Sequence, residues 1–459
     1  MTSGKSYPLA DRRLERSLEE KHALYTPAEA VTEANRCIYC SDAPCVAACP
    51  TGIDIPKFIH KISTENTKGA ARTIFESNLL GSSCASVCPV EVLCAGSCVY
   101  NTWEREPIAI GRLQRFATTT ALSQDPDLIA KTKKPSTGKK VALIGAGPAS
   151  LAAAGHLALE GHRAVIFEKK SVPGGLNSTG VAPYKLYADD ALREVEFIER
   201  LGDVEIRTGV GVVDGKADAV KGEVSAADLL RDYDAVFIGI GLGSDHGMGI
   251  PGEDGPGVVG ATAWIESMKL DPKASVAGVT RAIVVGGGNT AIDAARELAQ
   301  LGVEHVSMVY RRDEAAMSGY AHEMAGAYKE RVELVENRQP VSVVREKGAV
   351  VGLQVAPTTG GKPTDGERET LTADLIVIAI GQARLTQLAS AFPGVELDDK
   401  GRVRVDEATC RTGNAKVYAG GDCVNGGKEV VNAAQHGKLA ARAIHSSLGA
   451  APGSTGKAN

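Results

Sequence analysis

A short apolar strand, a glycine-rich loop and an alanine-rich helix follow one another at residues 141–159 and again at residues 282–300. Strands that alternate with helices in this way are typical of parallel sheets covered by helices. The chain has 459 residues, enough for about two to four domains. We therefore predict an α/β protein with parallel sheets. The clearest predicted strands are Val141–Ile144, Ala164–Phe167, Ala235–Ile240, Ala282–Val285, Val306–Val309 and Leu375–Ile380.

The first loop has the residues of a dinucleotide-binding turn. Gly145 permits a tight turn, Gly147 lets the backbone approach a pyrophosphate, and the small Ser150 lets helix and strand pack closely. The helix then presents free N–H groups and the positive end of its dipole to the phosphates. Glu168 ends the next strand, where a carboxylate accepts hydrogen bonds from a ribose diol. We expect this loop to bind FAD or NAD.

The second loop differs at the end of its second strand. Its candidate nucleotide contacts are Gly286, Gly288, Asn289, Thr290, Arg311 and Arg312. The two arginines stand where the first unit has its glutamate, and guanidinium groups pair with a 2′-phosphate that a glutamate would repel. We therefore expect this loop to select NADPH, with a solvated or substrate-facing role for the arginines as the alternative. Two such units predict two Rossmann-like dinucleotide-binding domains.

Eight of the ten cysteines fall within 62 residues. They form two arrays, Cys37-x2-Cys40-x4-Cys45-x3-Cys49-Pro50 and Cys84-x3-Cys88-Pro89-x4-Cys94-x3-Cys98. Residues 1–17 lack the apolar region of a signal peptide, so we expect a cytoplasmic, reducing location. In such a compartment a cysteine cluster indicates metal before disulfides. The remaining two, Cys410 and Cys423, are expected to be buried thiols without a role.

The first array resembles the ferredoxin pattern for a 4Fe–4S cluster, in which the cysteine before proline binds a second cluster. Two such clusters need eight ligands, and counting alone assigns all eight cysteines to them. Structural zinc is the main alternative, although its usual ribbons pair one C-x2-C with another and only one such pair occurs here. A redox disulfide between Cys37 and Cys40 is a further alternative.

Composition excludes several classes of function. The net charge is only −5, so no basic field favours nucleic acid, and no run of about 18 apolar residues favours a membrane span. The polar segment 131–138 contains Pro and Gly and is the best linker candidate. Helices are predicted from Thr26, near 56–65, 68–78 and 108–122, and about 430–448. We expect a helical domain over 1–133, a first dinucleotide domain over 134–243 and 384–459, and a second over 244–383.

Residues 416–422, Lys-Val-Tyr-Ala-Gly-Gly-Asp, resemble the closing motif of flavoprotein reductases with two dinucleotide domains. In that superfamily the residue that matches Asp422, after Gly421, hydrogen-bonds the ribityl chain of the flavin, and the next helix points its N-terminus at the flavin. The likeness implies an FAD domain into which the NAD(P) domain is inserted. A Gly-Asp turn without a ligand is the alternative.

With these motifs in hand, residues 35–448 resemble the flavin-bearing half of dihydropyrimidine dehydrogenase, in its bacterial small-subunit form. The wider group includes the small subunit of glutamate synthase. The most specific stretch is 37–116, which ends in Ile-Gly-Arg-Leu-Gln-Arg-Phe. The five residues between Cys88 and Cys94 match the pyrimidine family, whereas this gap is shorter in the glutamate synthase subunits.

The resemblance implies particular ligands. One cluster would be held by Cys37, Cys40, Cys45 and Cys98, and the other by Cys49, Cys88, Cys94 and the side-chain oxygen of Gln114. Cys84 then becomes a bystander. Gly175, Leu176 and Lys185 would lie against the flavin, where the family more often has an arginine in place of Lys185.

The resemblance also implies a function. The chain would be the electron-input subunit of dihydropyrimidine dehydrogenase, taking a hydride from NADPH or NADH onto FAD and passing single electrons through two 4Fe–4S clusters. An FMN-containing partner subunit would receive them and reduce uracil or thymine. No protein acid or base is needed for hydride transfer, so no catalytic side chain is assigned. The rivals are a glutamate synthase small subunit, a ferredoxin:NADP oxidoreductase subunit and a zinc-stabilised interaction module.

Overall fold

The first helix begins where the sequence predicts. The Thr26 hydroxyl accepts the N–H of Glu29, and the Glu29 carboxylate accepts the N–H of Thr26 at 2.8 Å, which closes a capping box. The computed structural model describes residues 7–449. The helices of the N-terminal region are α1 (Pro27–Ala34), α2 (Pro44–Ala47), α3 (Ile55–Ser63), α4 (Thr67–Ser77), α5 (Gly81–Val87) and α6 (Ile110–Gln124), with short 3-10 turns at Leu14–Ser17, Val90–Val92, Val99–Trp103 and Ala130–Thr132.

An apolar core supports the cysteine loops of this helical region. Phe58 and Ile62 of α3, Ile74 of α4, and Leu113 and Phe116 of α6 are buried together. Burial of side chains of this size contributes about 1.5–3 kcal/mol each. Five of the clustered cysteines pack against the rim of this core. Packing of the helices in this core therefore supports the loops that carry these cysteines.

The next region is a five-stranded parallel sheet in the order β16-β6-β1-β2-β3. Its strand β6 ends at Ile238, two residues before the predicted end at Ile240, and the chain turns at Gly241, which has φ +64°. Before the chain leaves this sheet its elements are β1 (Lys140–Ile144), α7 (Pro148–Leu159), β2 (Arg163–Glu168), α8 (Leu176–Thr179), α9 (Ala188–Arg200), β3 (Val204–Thr208), β4 (Gly211–Val213), β5 (Glu223–Ser225), α10 (Ala226–Asp232) and β6 (Ala235–Ile238), with a 3-10 turn at Ala219–Lys221.

A second parallel sheet follows in the order β10-β9-β8-β15-β7. An antiparallel sheet of β11 to β14, which was not predicted, packs against one side of it through Val343, Leu353 and Val355. The elements are β7 (Val258–Gly260), α11 (Ala261–Leu270), β8 (Arg281–Val285), α12 (Asn289–Gln300), β9 (His305–Val309), α13 (Ala321–Lys329), β10 (Glu333–Val335), β11 (Arg338–Glu346), β12 (Ala349–Thr359), β13 (Lys362–Pro363), β14 (Glu369–Thr372) and β15 (Leu375–Ile378), with a 3-10 turn at Glu314–Ala316.

The chain then returns to the first sheet. The outgoing segment 243–246 and the returning segment 381–383 pair antiparallel, with Gly243 N–H donating to the Ala383 carbonyl and His246 N–H to the Gly381 carbonyl, both at 2.8 Å. The last elements are α14 (Thr386–Ser390), β16 (Val417–Ala419), α15 (Asp422–Asn425) and α16 (Val430–Ser447). The second sheet is thus inserted into the region of the first, as an FAD domain with an inserted NAD(P) domain requires.

We propose the domain limits at 133/134, 243/244 and 383/384, which keep the strands of each parallel sheet together. Residues 1–6 and 450–459, the outer ends of the first and last proposed domains, lie outside the described residues. Over the described range, 7–449, the structure has no helix of the length and apolarity that a bilayer crossing requires.

Candidate functional site

The first glycine loop is folded as a tight turn between β1 and α7. Gly145 has φ +84°, and a Cβ there would lie 2.7 Å from the carbonyl oxygen of Gly239. Ser150 is buried, and its hydroxyl donates to the carbonyl of Ile144 at 3.5 Å. Helix α7 begins after Gly147, which has no side chain to cap it. The first N–H groups of this 12-residue helix thus remain available to a phosphate.

Glu168, at the end of β2, lies beside this loop. Its carboxylate accepts the N–H of Ala146 and the N–H of Lys170, each at 2.7 Å. Each oxygen thus accepts one hydrogen bond, whereas a carboxylate can accept about four in total. The side chain is therefore fixed at the strand end with acceptor capacity left for a ribose.

Gly175 and Leu176 also meet the first loop. Gly175 has φ +56°, and a Cβ on it would lie 2.7 Å from Cα of Gly147. Gly174 N–H donates to the carbonyl of Ala146 at 2.9 Å. The turn that starts α8 at Leu176 is therefore held on the same face as the loop.

Asp422 closes the same site from the end of β16. Gly421 has φ +77°, and a Cβ there would lie 3.1 Å from Cβ of Ala149, so the Gly-Asp turn lies against the first turn of α7. The N–H of Gly421 donates to Nδ1 of His436 at 3.0 Å, a contact that sequence reasoning missed. Burial raises the pKa of Asp422. The structure thus brings Gly145, Gly147, Glu168 and Asp422 around one cradle.

Lys185 is placed differently from the other flavin candidates. Its ammonium is 2.7 Å from Asp293 of α12 and 3.1 Å from Glu323 of α13, both on the inserted sheet. Burial opposes ionisation of Glu323, but Lys185 and Lys21 lower its pKa to about 2. Arg296 pairs with the same carboxylate at 2.7 Å. Lys185 therefore takes part in a charge network between the two sheets.

The second glycine loop also forms a tight turn between a strand and a helix, and neighbouring atoms lie close to its glycines. A Cβ on Gly286 would lie 2.3 Å from the carbonyl of Ala379, and one on Gly287 would lie 2.5 Å from the ring of Tyr310. Asn289 opens α12, and its side-chain oxygen accepts the N–H of Tyr320 at 2.8 Å. Thr290 is exposed at the helix N-terminus. Gly288 precedes the helix without a capping side chain.

Arg311 and Arg312 follow β9 after Tyr310, the residue whose ring lies against Gly287 of this loop. Their carbonyls are held by Thr358 and Asn337, and the guanidinium of Arg312 lies 5.3 Å from the centre of the Tyr310 ring. Nε of Arg312 is buried without a hydrogen-bond partner in the described part of the chain. Two cations next to a phosphate-binding turn are what recognition of a 2′-phosphate requires.

The first four cysteines assigned by resemblance line one cavity. Cys37 and Cys40 reach it from the loop between α1 and α2, Cys45 from α2 itself, and Cys98 from the residue before the 3-10 turn at Val99. Ile55, Ile59 and Ile108 form its apolar wall. Burial, together with Cys37 and Cys98, raises the pKa of Cys45 to about 11. The soft thiols around an apolar cavity fit an iron–sulfur cluster.

The second group is more deeply buried. Hydrogen bonding with Cys84, burial, Cys94 and Cys49 together raise the pKa of Cys88. Burial and Cys49 raise that of Cys94 to about 12. Cys84 lies on α5, four positions before Cys88, the residue that follows the helix, and is itself buried. Cys49, Cys88 and Cys94 therefore share a site beside which Cys84 also lies.

Gln114 of α6 contacts α5, the helix that carries Cys84. Its amide nitrogen donates to the carbonyl of Gly81, the first residue of α5, at 2.7 Å, and its side chain is buried. This bond turns the amide oxygen, the atom able to bind iron, away from Gly81. Within residues 7–449 no three His, Cys, Asp or Glu side chains are close enough to hold a single metal ion. The thiolates of a four-iron cluster bind different irons.

Helix α5 is anchored by a residue of the first sheet region. Glu194 of α9 is buried and accepts the N–H of Ser82 at 2.9 Å and the N–H of Ser83 at 3.1 Å, as well as the Ser83 hydroxyl. Burial raises the pKa of Glu194 to about 7. Sequence reasoning missed this residue because its partners are more than 100 positions away. It fixes the helix that directly precedes Cys88.

Two families match the chain. Residues 14–126 match the family described as dihydropyrimidine dehydrogenase domain II, 4Fe-4S cluster, and residues 139–437 match the pyridine nucleotide-disulphide oxidoreductases. These matches and the sites above establish FAD, 4Fe–4S clusters and NAD(P)H as the cofactors.

Curated relatives resemble nearly the whole chain. The glutamate synthase [NADPH] small chain of Halomonas elongata is 35% identical over 92% of this chain and 91% of its own length. That of Escherichia coli K12 is 34% identical over 95% of both chains. The NAD-dependent dihydropyrimidine dehydrogenase subunit PreT of Escherichia coli K12 is 34% identical over 93% of this chain and 96% of its own.

Among solved structures, thioredoxin reductase of T. acidophilum has a TM-score of 0.52 at 22% identity and covers 67% of this chain and 98% of its own. That of Lactococcus lactis has a TM-score of 0.53 at 21% identity, over 68% and 99%. These likenesses show a shared fold of two dinucleotide-binding domains. The chain belongs to the pyridine nucleotide-disulphide oxidoreductase family, as an NAD(P)H-dependent flavin oxidoreductase with an N-terminal iron–sulfur domain of the dihydropyrimidine dehydrogenase type.

Proposed function

We propose that the chain is the electron-input subunit of a dihydropyrimidine dehydrogenase. It takes the hydride of NAD(P)H and delivers two single electrons to an FMN-containing partner subunit, which reduces uracil or thymine to the 5,6-dihydro form. The observation that carries this proposal is the second cysteine array, whose gap of five residues between Cys88 and Cys94 matches the pyrimidine family. The relatives named PreT support it.

The proposed flavin site is formed by residues of the first sheet region. We propose that Gly145, Gly147 and Ser150 admit the FAD pyrophosphate to the N-terminus of α7, that Glu168 accepts the ribose hydroxyls, and that Asp422 accepts from the ribityl chain. Gly175, Gly421 and Leu176 bound the same cradle. When bound, FAD converts a two-electron hydride transfer into one-electron steps. The side chains orient it and exclude water, and none of them is assigned as an acid or base.

The iron–sulfur end of the route uses the two cysteine groups. The proposed ligands are Cys37, Cys40, Cys45 and Cys98 for one cluster, and Cys49, Cys88, Cys94 and Gln114 for the other. The second group adjoins α5 and α6 and is tied to the FAD region by Glu194. We propose that it is the first to receive electrons from the flavin.

A glutamate synthase small subunit is the second candidate, and one observation favours it. Arg311 and Arg312 predict NADPH, the coenzyme in the printed name of the glutamate synthase relatives, whereas the PreT relatives are named NAD-dependent. The subunit that copurifies with the chain separates the two. An FMN protein that, with this chain, reduces uracil supports the first proposal. A partner that forms glutamate instead contradicts it.

The coenzyme proposal has its own test. Replacing Arg311 and Arg312 by alanine removes the charges offered to the 2′-phosphate, and a charged hydrogen bond is worth about 1.5–3 kcal/mol. We expect kcat/KM for NADPH to fall about 10-fold to 150-fold with little change for NADH. Arg281→Ala, at the opposite end of β8, is the matched control and should change neither value. Equal kcat/KM for the two coenzymes in the wild type contradicts the assignment.

A further inference from the structure

The buried side chain of Lys438 connects the FAD region to the iron–sulfur region. It lies on α16 and is only 7% exposed. Its ammonium donates to the carbonyl of Thr51 at 3.0 Å and to the carbonyl of Ser77, the last residue of α4, at 2.9 Å. Thr51 follows Cys49 by two positions. A cation of the flavin domain thus holds the backbone beside a cluster ligand.

This buried charge has no carboxylate to balance it within residues 7–449, where its bonds go to two neutral carbonyls. Burial and the neighbouring Arg442 together lower the pKa of Lys438 to about 8. At pH 7 the side chain is therefore mostly protonated. A buried cation without an anion is costly unless another negative group compensates for it. One of its two partners, Thr51, lies two positions after Cys49, which is proposed as a cluster ligand.

Helix α16 also relates this charge to the flavin. It starts at Val430, after the short helix α15, and its residue His436 accepts the N–H of Gly421 in the Gly-Asp turn at 3.0 Å. Lys438 follows His436 by two positions, about 3 Å along the helix at 1.5 Å per residue. One rigid element therefore contacts both the Gly-Asp turn and the segment that follows Cys49.

We propose that Lys438 is a positioning residue that sets the reduction potential of the cluster bound through Cys49. Reduction adds one negative charge to that cluster, and a fixed cation in a low-dielectric interior stabilises the added charge. The potential is raised as a result, which favours electron flow out of the flavin. This inference rests on the proposed ligation by Cys49.

The test is an EPR-monitored redox titration of the purified holoenzyme at pH 7, on Lys438→Met and Lys438→Arg. We expect Lys438→Met to reduce the ratio of reduced to oxidised protein for one cluster about tenfold at a fixed potential. For one electron this corresponds to about 59 mV. The other cluster should not change, and Lys438→Arg should restore most of the wild-type potential. Equal potentials in the wild type and Lys438→Met overturn the inference.

Lys269 provides a matched control. It is a fully buried lysine on α11 whose ammonium donates to the carbonyls of Asn177, Val181 and Leu186, and burial lowers its pKa to about 8 as well. No cysteine is among its partners. Lys269→Met should lower the melting temperature, as Lys438→Met does, and leave both cluster potentials unchanged. If it shifts a potential by the same amount, the effect is structural and the inference is wrong.

The proposed function and this inference fail in different ways. A wild-type protein without iron would remove the clusters and the proposed function with them. If the wild-type protein holds about eight irons but Lys438→Met and Lys438→Arg have the same cluster potentials, only the role of Lys438 is overturned. If Lys438→Met does not fold, Lys438→Arg alone tests the inference. Because arginine retains the charge, a tenfold difference between Lys438→Arg and the wild type in the ratio of reduced to oxidised cluster also overturns it.

Discussion

The two cysteine groups differ in where their support comes from. The group of Cys37, Cys40, Cys45 and Cys98 lines a cavity whose wall is made by neighbouring helices of the same region. The group of Cys49, Cys88 and Cys94 adjoins α5, which is bonded to Gln114 of α6 and to Glu194 of the FAD region. The segment after Cys49 is bonded to Lys438 of α16. The first group is thus encoded locally, whereas the second is assembled by the tertiary structure.

The largest expected effect comes from removing one thiolate of the second group. Cys94→Ala takes away a proposed iron ligand in a buried site, so we expect loss of about four of the eight irons. The first cluster should keep its EPR signal, because its four ligands lie elsewhere. Iron analysis and EPR of the reduced protein measure both. Loss of all the iron would show that the two groups are not independent.

A smaller effect is expected at the anchor of α5, and it depends on pH. The pKa of Glu194 is raised by burial from 4.5 to about 7 in the folded chain. The folded state therefore keeps a proton that the unfolded state releases, so the free energy of unfolding falls as the pH rises from about 4.5 to 7. One pKa unit corresponds to about 1.4 kcal/mol, so the total fall is about 3 kcal/mol.

Glu194→Gln checks this by denaturant unfolding at several pH values. The amide cannot ionise, so the pH dependence in this window should flatten. The loss of Oε2 as the acceptor of the Ser83 hydroxyl lowers the free energy of unfolding by about 1–3 kcal/mol. Glu199→Gln, on the same helix but half-buried, is the control. An unchanged slope in Glu194→Gln would mean that this carboxyl does not titrate in the window.

The smallest effect concerns the eighth ligand. If Gln114 completes the second cluster, Cys84→Ala should leave the iron content and the EPR spectrum intact. Gln114→Cys should lower the potential of that cluster, because a thiolate replaces a neutral oxygen and adds negative charge at the iron. Loss of about four irons in Cys84→Ala, with no change of potential in Gln114→Cys, would assign the site to the eight cysteines instead.

The parts of the structure that depend on neighbours in the chain could be predicted. The capping box at Thr26, both glycine loops and the strands from Val141 and Ala282 follow from short motifs, and they are confirmed. The antiparallel sheet of β11 to β14 was missed. Its strands are mostly half-exposed and are interrupted by register shifts, so they lack the continuous apolar runs of the buried parallel strands.

The parts that depend on distant residues could not be predicted. Lys185 pairs with Asp293, Glu194 with Ser83, and Lys438 with the backbone of Thr51, over separations of 108, 111 and 387 positions. Glu194 and Lys438 lie on amphipathic helices and Lys185 in the turn before α9, and for charged side chains at such places the usual expectation is solvent exposure. Only the folded chain shows that these groups are buried and have partners.

Glu194 and Lys438 belong to the FAD region, and this limits how the iron–sulfur region can be transferred to another protein. Residues 27–124 form one continuous segment, which suggests a cassette that could be fused to other flavoproteins. Such a transplant would carry the first cluster with its own scaffold but leave the second without its carboxylate anchor and its cation. A recipient reductase must therefore supply a glutamate toward the start of α5 and a lysine toward Thr51 before electrons can cross the new junction at the same driving force.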